Sequence, residues 1–573
     1  MLKGIGVSEG IGIGKVLVIE KHELHFDNHS IKSIDEEIER YHKAIEKFIA
    51  RTQAMADNAA VNVGEKEAEI LFGHIIIVQD PYMNGEIENL IKSKKCAEYA
   101  VSEVCDSFIS MFSSVDDELT NQRAADILDI KTSLLSILLG IEEVSLKDAP
   151  AGTVIAADIL TPSMTSGMNS ENIVGIITEH GGKTSHSSII ARTLGIPAVL
   201  SVDKLLESIK SGNTVIVDGN NGDIIVSPDE STMAAYSTKQ LEYIKHRNEL
   251  SKYKNAPTVT ADNDKKFLFC NIASSEDALK AKECTAEGIG LFRTELMFLE
   301  KDRLPTENEQ YTEYKRTALT FRHKSVKIRT LDIGGDKLIP YLDIKKEENP
   351  YLGNRAVRYC LKREDIFLTQ LRAILRASLY GKIKLMIPLI TCIDEIRAVK
   401  RLIETAKQQL RDEEKCFEEN IEIGIMIETP AAVLIADILA EEVDFFSIGT
   451  NDLTQYTMAV DRGNDDVAYL YSALNPAVIR SIKHIIEAGH KAGIPVEMCG
   501  EAASDPLMIP LLIAFGLDEF SVSAGAVLKT RRTISQWSKA HSIAVAEKVL
   551  SLKTEKEIVE FLKQESSSCG DII

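Results

Sequence analysis

The segment Phe445-Phe-Ser-Ile-Gly-Thr-Asn-Asp452 is a short apolar run followed at once by glycine and polar side chains. Seven similar runs lie in the C-terminal half of the chain, and amphipathic stretches such as 393–409 and 477–492 separate them. The eight predicted strands are 267–272, 289–292, 326–331, 383–387, 423–427, 445–448, 495–498 and 519–522. Eight strands alternating with helices over roughly 300 residues predict a (β/α)8 barrel, and the main alternative is an open doubly wound sheet.

The N-terminal part follows a different pattern. A strand-like run at 15–19 precedes a capping box at 33–36, and helical spacing then continues to about residue 140. Short strand-like runs alternate with helical patches between 153 and 218, and a polar helical connector is predicted near 237–254. The fold class is therefore multidomain α/β, with an all-α insertion in the N-terminal α/β domain. The predicted domains are 1–20 plus 146–230 (α/β), 21–145 (helical), 231–260 (linker) and 261–573 (barrel).

Composition narrows the range of functions. Hydrophobic residues make up 44% of the chain and charged residues 27%, which excludes wholesale disorder. The net charge of −21 disfavours general nucleic-acid binding, and no apolar run is long enough to cross a bilayer. Nine cysteines, without a C-x-x-C pair, indicate reduced thiols. We expect a cytoplasmic protein.

Polar side chains follow the predicted barrel strands in series. Active sites of such barrels lie at the carboxyl ends of the strands. Each residue alone is more typical of a surface salt bridge, but together they indicate a site. The candidates that follow strands are Arg293, Glu428, Asn451, Asp452 and Cys499. Arg329 lies near the end of the third strand, and Arg355 and Arg462 lie on nearby loops.

This mixture of residues suits a small phosphorylated acid. Arginine binds phosphate or carboxylate through a planar fork of donors. Glu428 and Asp452 are too few for an all-protein metal cage, but they suffice for Mg²⁺, which completes its octahedron with water and substrate oxygens.

A second signal is the segment Gly181-Gly-Lys-Thr-Ser-His-Ser-Ser188 in the smaller α/β part. Its glycines and hydroxyls predict a turn that begins a helix, with His186 at or near the helix N-terminus. The helix dipole there keeps an imidazole neutral and nucleophilic, and free amides can receive a phosphoryl group. The alternative is a histidine held in a capping turn. His180 has no such setting and is interpreted as a satisfied loop histidine.

The longest motifs resemble those of one family. GGKTSHSSIIAR (181–192), GIGLFRTE (288–295), RTLDIGGDK (329–337), IEIGIMIETPAA (421–432) and MCGEAASD (498–505) resemble the enzyme I family of sugar phosphotransferase systems, the phosphoenolpyruvate-protein phosphotransferases. The resemblance runs essentially end to end. It implies a swivelling phosphohistidine domain, a helical subdomain that binds the phosphocarrier protein HPr, and a barrel that binds phosphoenolpyruvate and forms a homodimer.

The resemblance also implies roles for the candidate residues. His186 resembles the phosphoryl acceptor, and Cys499 resembles the acid that protonates the enolate to give pyruvate. Arg293 and Arg329 resemble the phosphate-binding pair. By the same resemblance Glu428 and Asp452 are Mg²⁺ ligands, and Asn451 and Arg462 contact phosphoenolpyruvate.

The sequence departs from the family pattern at three places. Asn354 stands where an aromatic residue is expected, the run 523–528 is looser than usual, and 67–73 is one residue out of register. A pyruvate phosphate dikinase is the alternative within the superfamily, although it would add a large nucleotide-binding domain. A non-catalytic scaffold is the alternative outside it.

Overall fold

The computed structural model of the chain divides into two units, Met1–Arg247 and Asn248–Ile573. The structure describes residues 1–19, 26, 31, 33–62, 65–113, 118–141, 146, 149–165, 168, 171–182, 185–299, 301–334, 339–464 and 466–568. Among these residues, no helix combines the length and apolar character needed to cross a bilayer.

The first unit is built on a mixed eight-stranded sheet. Its strands are β1 (Leu2–Lys3), β2 (Ile5–Ser8), β3 (Ile11–Ile19), β4 (Thr153–Ala157), β5 (Ile173–Thr178), β6 (Ala198–Leu200), β7 (Thr214–Asp218) and β8 (Asp223–Val226), in the order β1-β8-β7-β3-β4-β5-β6-β2. Neighbouring residues of β4, Val154 and Ile155, belong to different apolar clusters. Because successive side chains of a strand point to opposite faces, both faces of this sheet are covered.

In the described part of the chain between β3 and β4 there are five helices. They are α1 (Ile34–Asn62), α2 (Glu65–Val78), α3 (Pro81–Lys92), α4 (Ala97–Ser113) and α5 (Glu118–Leu139). They share an apolar core of their own, which includes Tyr41, Ile87 and Leu134. The helical insertion expected from the sequence is therefore present.

The remaining helices of this unit are α6 (Pro162–Thr165), α7 (His186–Leu194), α8 (Leu205–Ser208) and α9 (Glu230–Ser251). Helix α9 corresponds to the predicted connector and crosses the boundary between the two units. The predicted division into four domains stays a prediction.

The second unit is a closed parallel barrel. Its strands are β9 (Phe267–Ile272), β10 (Ile289–Arg293), β11 (Ser325–Arg329), β12 (Lys382–Ile387), β13 (Glu422–Ile427), β14 (Phe445–Ile448), β15 (Val496–Met498) and β16 (Glu519–Val522), and β16 pairs with β9 to close it. All eight strands occur where the sequence predicted them. The barrel is confirmed, and an open sheet is excluded.

Helices surround the barrel and pack their apolar faces on it. They are α10 (Ser275–Glu283), α11 (Leu296–Leu299), α12 (Glu307–Thr320), α13 (Val357–Lys362), α14 (Glu364–Ala377), α15 (Ile393–Asp412), α16 (Pro430–Leu434), α17 (Ala436–Ala440), α18 (Thr450–Met458), α19 (Pro476–Ala492), α20 (Ile509–Phe515), α21 (Val527–Gln536), α22 (Lys539–Ser551) and α23 (Glu555–Ser568). Short 3-10 helices lie at Pro340–Leu342, Pro350–Leu352, Ser378–Tyr380, Ala468–Leu470, Glu501–Ser504 and Ala524–Ala526.

Candidate active site

Most of the candidate residues of the second unit lie at one end of the barrel. Arg293 and Arg329 are the last residues of β10 and β11, and Glu428 and Cys499 directly follow β13 and β15. Asp452 lies in the first turn of α18, just after β14. Because the strands are parallel, their carboxyl ends form a single mouth, and the sequence-predicted residues meet there.

Arg329 is held at this mouth by two carboxylates. Its guanidinium lies 2.8 Å from Glu295 Oε1 and 3.2 Å from Asp332 Oδ2. Burial disfavours the charged form, but these carboxylates outweigh it, so the pKa of Arg329 is raised above its ordinary value. The arginine is permanently charged and fixed in direction.

Arg355 belongs to the same network. Its Nη2 lies 2.8 Å from Asp332 Oδ1 and 3.7 Å from Asp452 Oδ2, and its Nη1 donates to Tyr456 Oη at 3.3 Å. Burial opposes its charge, and Asp332 and Asp452 restore it, so the pKa of Arg355 is also raised. Asp332 thus bridges the two arginines. Asp332 and Glu295 were not among the residues predicted from the sequence, although each follows an arginine by only two or three residues.

Two further carboxylates lie buried beside this network. Glu428 is 1% exposed, and its Oε1 accepts the backbone N–H of Leu389 at 2.7 Å. Burial, and then repulsion by Asp452, raises the pKa of Glu428 well above its ordinary value. Gly449 leaves the space that Glu428 fills, because a Cβ there would lie 2.5 Å from Glu428 Oε2.

The chemistry of these carboxylates fits a divalent cation. Asp452 Oδ1 is buried and has no hydrogen-bond partner in the described part of the chain, and the same holds for Arg329 Nε. No group of three or more His, Cys, Asp and Glu side chains among the described residues could hold a metal. Two carboxylate ligands, with the remaining positions left to water and substrate, are what Mg²⁺ accepts.

Cys499 is buried at the inner side of the mouth. It is 3% exposed, and its Sγ accepts a hydrogen bond from Ser447 Oγ at 3.3 Å. Burial, assisted by the negative charge of Glu497, raises the pKa of the thiol to about 12. The thiol is therefore protonated at neutral pH, as a proton donor must be.

The other candidates are more open. Arg293 and Arg462 are exposed. Asn451 exchanges two hydrogen bonds of 3.3 Å with Glu501, one from its side-chain amide and one from the backbone of Glu501.

Asn354, where an aromatic residue was expected, donates its backbone N–H to Glu347. The predicted motif residues Asp336 and Lys337 lie outside the described residues.

His186 lies in the first unit, where it is the first residue of α7. The preceding Ser185 is the N-cap residue, with φ −64° and ψ 154°, and its hydroxyl accepts the backbone N–H of Ser188 at 3.4 Å. The predicted helix start is therefore present, while Thr184 and the side chain of His186 are not among the described positions. His180 Nδ1 lies 2.5 Å from Asp158 Oδ1.

Comparison with known proteins agrees with this geometry. The family profiles described as PEP-utilising enzyme match in three segments: the N-terminal domain at residues 3–123, the mobile domain at 149–222 and the PEP-binding domain at 247–539. The chain is 43% identical over 563 residues to the phosphoenolpyruvate-protein phosphotransferase of Priestia megaterium, covering 98% of both chains. The chain belongs to the phosphoenolpyruvate-protein phosphotransferase family.

Two further members of that family give the same result. The enzyme of Bacillus subtilis (strain 168) is 42% identical over 564 residues, covering 98% of this chain and 99% of that one. The enzyme of Staphylococcus carnosus (strain TM300) is 41% identical over 564 residues, covering 98% of both. The resemblance drawn from the motifs is confirmed.

Proposed function

We propose that this phosphotransferase family member moves a phosphoryl group from phosphoenolpyruvate to His186 and then to a histidine of HPr, releasing pyruvate. The observation that carries the proposal is the pair Arg329 and Arg355 at the barrel mouth. Buried carboxylates hold both guanidinium groups, and the protonated thiol of Cys499 is buried at the same mouth. The names of the relatives in Priestia, Bacillus and Staphylococcus support the same reaction.

The residues at the mouth have different roles in binding phosphoenolpyruvate. Arg329 and Arg293 bind the phosphate, and Arg355 is the nearby cation that neutralises charge on the substrate. Asn451 and Arg462 contact the remainder of phosphoenolpyruvate. Such fixed charges stabilise a transferring phosphoryl group without reorganising during the step.

Glu428 and Asp452 would hold Mg²⁺, which when bound neutralises negative charge on the phosphoryl oxygens. Cys499 delivers its proton to the enolate carbon, where a C–H bond forms as the S–H bond breaks. His186 attacks the phosphorus, so an N–P bond forms as the P–O bond to the enolate breaks and the enolate leaves. Transfer in two steps requires His186 to reach both phosphoenolpyruvate and HPr.

The acceptor assignment is tested by labelling with radioactive phosphoenolpyruvate. We expect acid-labile, base-stable label on the unchanged protein and none on His186→Ala. The matched control is His180→Ala, a histidine six residues earlier in the chain, which should label normally. Equal labelling of the His186→Ala protein would refute the assignment. Pyruvate release and discharge of the label by added HPr test the two ends of the relay.

HPr, homodimerisation and a cytoplasmic location are parts of this proposal. The segment 61–144 contains sixteen acidic and six basic residues, which suits a basic partner. On the barrel unit Leu434 and Tyr469 are 79% and 77% exposed, and a homodimer interface could bury apolar side chains of this kind. The eight described cysteines are free thiols, which suits a reducing compartment. Analytical ultracentrifugation of the full chain measures its molar mass in solution and so tests whether it forms a dimer.

A further inference from the structure

Three charged side chains meet inside the barrel, away from its mouth. Lys327 on β11 extends to Glu497 on β15 and Glu519 on β16, and its ammonium pairs with both carboxylates. The side chains of Lys327 and Glu497 are 1% and 0% exposed. The ammonium also lies over the rings of Phe269 and Phe445, 5.1 and 4.9 Å from their centroids. The proposed reaction gives this group no role.

The single positive charge of Lys327 does not neutralise the two negative charges that Glu497 and Glu519 carry when both are ionised. An unbalanced buried charge is costly, and a proton on one carboxylate removes the excess. Burial raises the pKa of Glu497 to about 7, with Glu519 assisting and Lys327 opposing. Glu497 is thus a carboxyl group that exchanges its proton near neutral pH.

The hydroxyl of Ser447 interacts with both Glu497 and Cys499. The two residues are two positions apart at the end of β15, so their side chains point to the same side of the sheet. Ser447 on β14 is the register partner of Glu497, and its Oγ donates to Cys499 Sγ at 3.3 Å. Glu497 Oε1 is buried and has no hydrogen-bond partner among the described residues. The Ser447 hydroxyl also interacts with the Glu497 carboxyl group, so a proton on Glu497 has Ser447 Oγ as a neighbouring acceptor.

We propose that Glu497 returns a proton to Cys499 through the hydroxyl of Ser447 after each turnover. The inference rests on the proposed function, in which Cys499 has become a thiolate by protonating the enolate. The Ser447 O–H proton passes to Sγ while the Glu497 O–H proton passes to Ser447 Oγ. Cys499 and Ser447 end as they began, and Glu497 ends as a carboxylate paired with Lys327.

The surroundings explain why such a supply is needed. Cys499 is 3% exposed, so bulk water has little access to its sulfur. The high pKa of the thiol makes the thiolate a stronger base than the Glu497 carboxylate, so the transfer is downhill. The titratable groups that face Glu497 are Lys327, Glu519 and Cys499. The Glu519 side chain is 13% exposed and offers a route for a solvent proton to refill Glu497.

The test compares the first turnover with later ones in Glu497→Gln, which keeps the shape but has no acidic proton. We expect single-turnover labelling of His186 within about twofold of the unchanged protein, because the first enolate takes the proton already on Cys499. Steady-state pyruvate release should fall at least about tenfold. In the unchanged protein, release should decrease as pH rises through about 7. The Glu497→Gln variant should lack this pH dependence.

Two further variants separate a relay from a structural effect. Ser447→Ala breaks the path and should reproduce the slow steady state, and it decides the question if Glu497→Gln does not fold. Glu519→Gln removes the repulsion that raises the pKa of Glu497, so it should move the pH dependence to lower pH. The proposed proton transfer would be overturned if Glu497→Gln kept both the steady-state turnover and the pH profile of the unchanged protein. It would also be overturned if Glu497→Gln lost the single-turnover labelling of His186. If the unchanged protein takes no label from phosphoenolpyruvate, the proposed function itself fails.

Discussion

Replacing Asp332 with asparagine tests whether the mouth of the barrel is held together by buried charge. Asp332 lies 2.8 Å from Arg355 and 3.2 Å from Arg329, and its side chain is 5% exposed. Asparagine keeps the size but removes the charge, and its amide group faces a guanidinium. Removing one partner of a buried ion pair costs about 3–5 kcal/mol.

The lower end of that range is expected here, because each arginine keeps another partner. Arg329 retains Glu295 at 2.8 Å, and Arg355 retains Asp452 at 3.7 Å. A loss of about 3 kcal/mol corresponds to a fall of about 6 °C in the melting temperature of the barrel. If the same free energy is lost from binding of the transition state, kcat/KM for phosphoenolpyruvate falls about 100-fold. Calorimetry and a coupled assay of pyruvate measure the two effects.

Asp365 supplies a matched control. It pairs with Arg363 at the same 2.8 Å, but its side chain is 63% exposed. Exposed pairs contribute only about 0–1 kcal/mol, so Asp365→Asn should leave both the melting temperature and kcat/KM nearly unchanged. Equal effects of the two substitutions would refute the argument, because only Asp332 is buried and bridges two arginines at the mouth.

Three other outcomes are expected at the same mouth. Gly449→Ala places a Cβ 2.5 Å from Glu428 Oε2, so the Mg²⁺ concentration for half-maximal pyruvate release should rise about 10- to 100-fold. The control Gly525→Ala should not change that concentration, because no described atom lies within 4 Å of the added Cβ. Glu428→Gln removes a buried charge that a neighbouring carboxylate repels, so it should abolish activity yet raise the melting temperature measured without Mg²⁺; a lower melting temperature would contradict this. Because the pKa of Cys499 is raised to about 12, alkylation of its thiol should stay slow up to pH 10. The exposed Cys416 should react under the same conditions and serves as the control. Rapid alkylation of Cys499 would show that the thiol is not held protonated.

The barrel was predictable because its strands are short apolar runs between amphipathic helices, a pattern that depends only on nearby residues. The start of α7 at His186 was predictable for the same reason, since a capping serine acts within one turn. The buried contact between Lys327 and Glu497 was not, because 170 residues separate the two. Both lie in runs that read as apolar, and only closure of the barrel shows that their side chains point inward and meet.

The roles of Glu295 and Asp332 were missed for a related reason. Both were visible beside arginines in the motifs, but sequence spacing does not show which charges are desolvated together. Glu295 is 5% exposed and Asp332 6%. At a surface the same pairs would have little energetic weight, whereas under burial they decide where each guanidinium points.

The charges at the mouth argue that cation and substrate bind together. Among the described residues, two largely buried arginines face four buried carboxylates: Glu295, Asp332, Glu428 and Asp452. When all six are ionised, the negative charges of this buried set exceed the positive ones by two, and the exposed Arg293 and Arg462 are the further cations that attract an anionic substrate. Burial, and then repulsion by Asp452 and Asp332, raises the pKa of Glu428. A divalent cation on Glu428 and Asp452 would cancel the excess of negative charge, and the arginines could then turn their free N–H groups to the phosphate. A cation bound there would thus balance the charge of the buried carboxylates that surround the arginines.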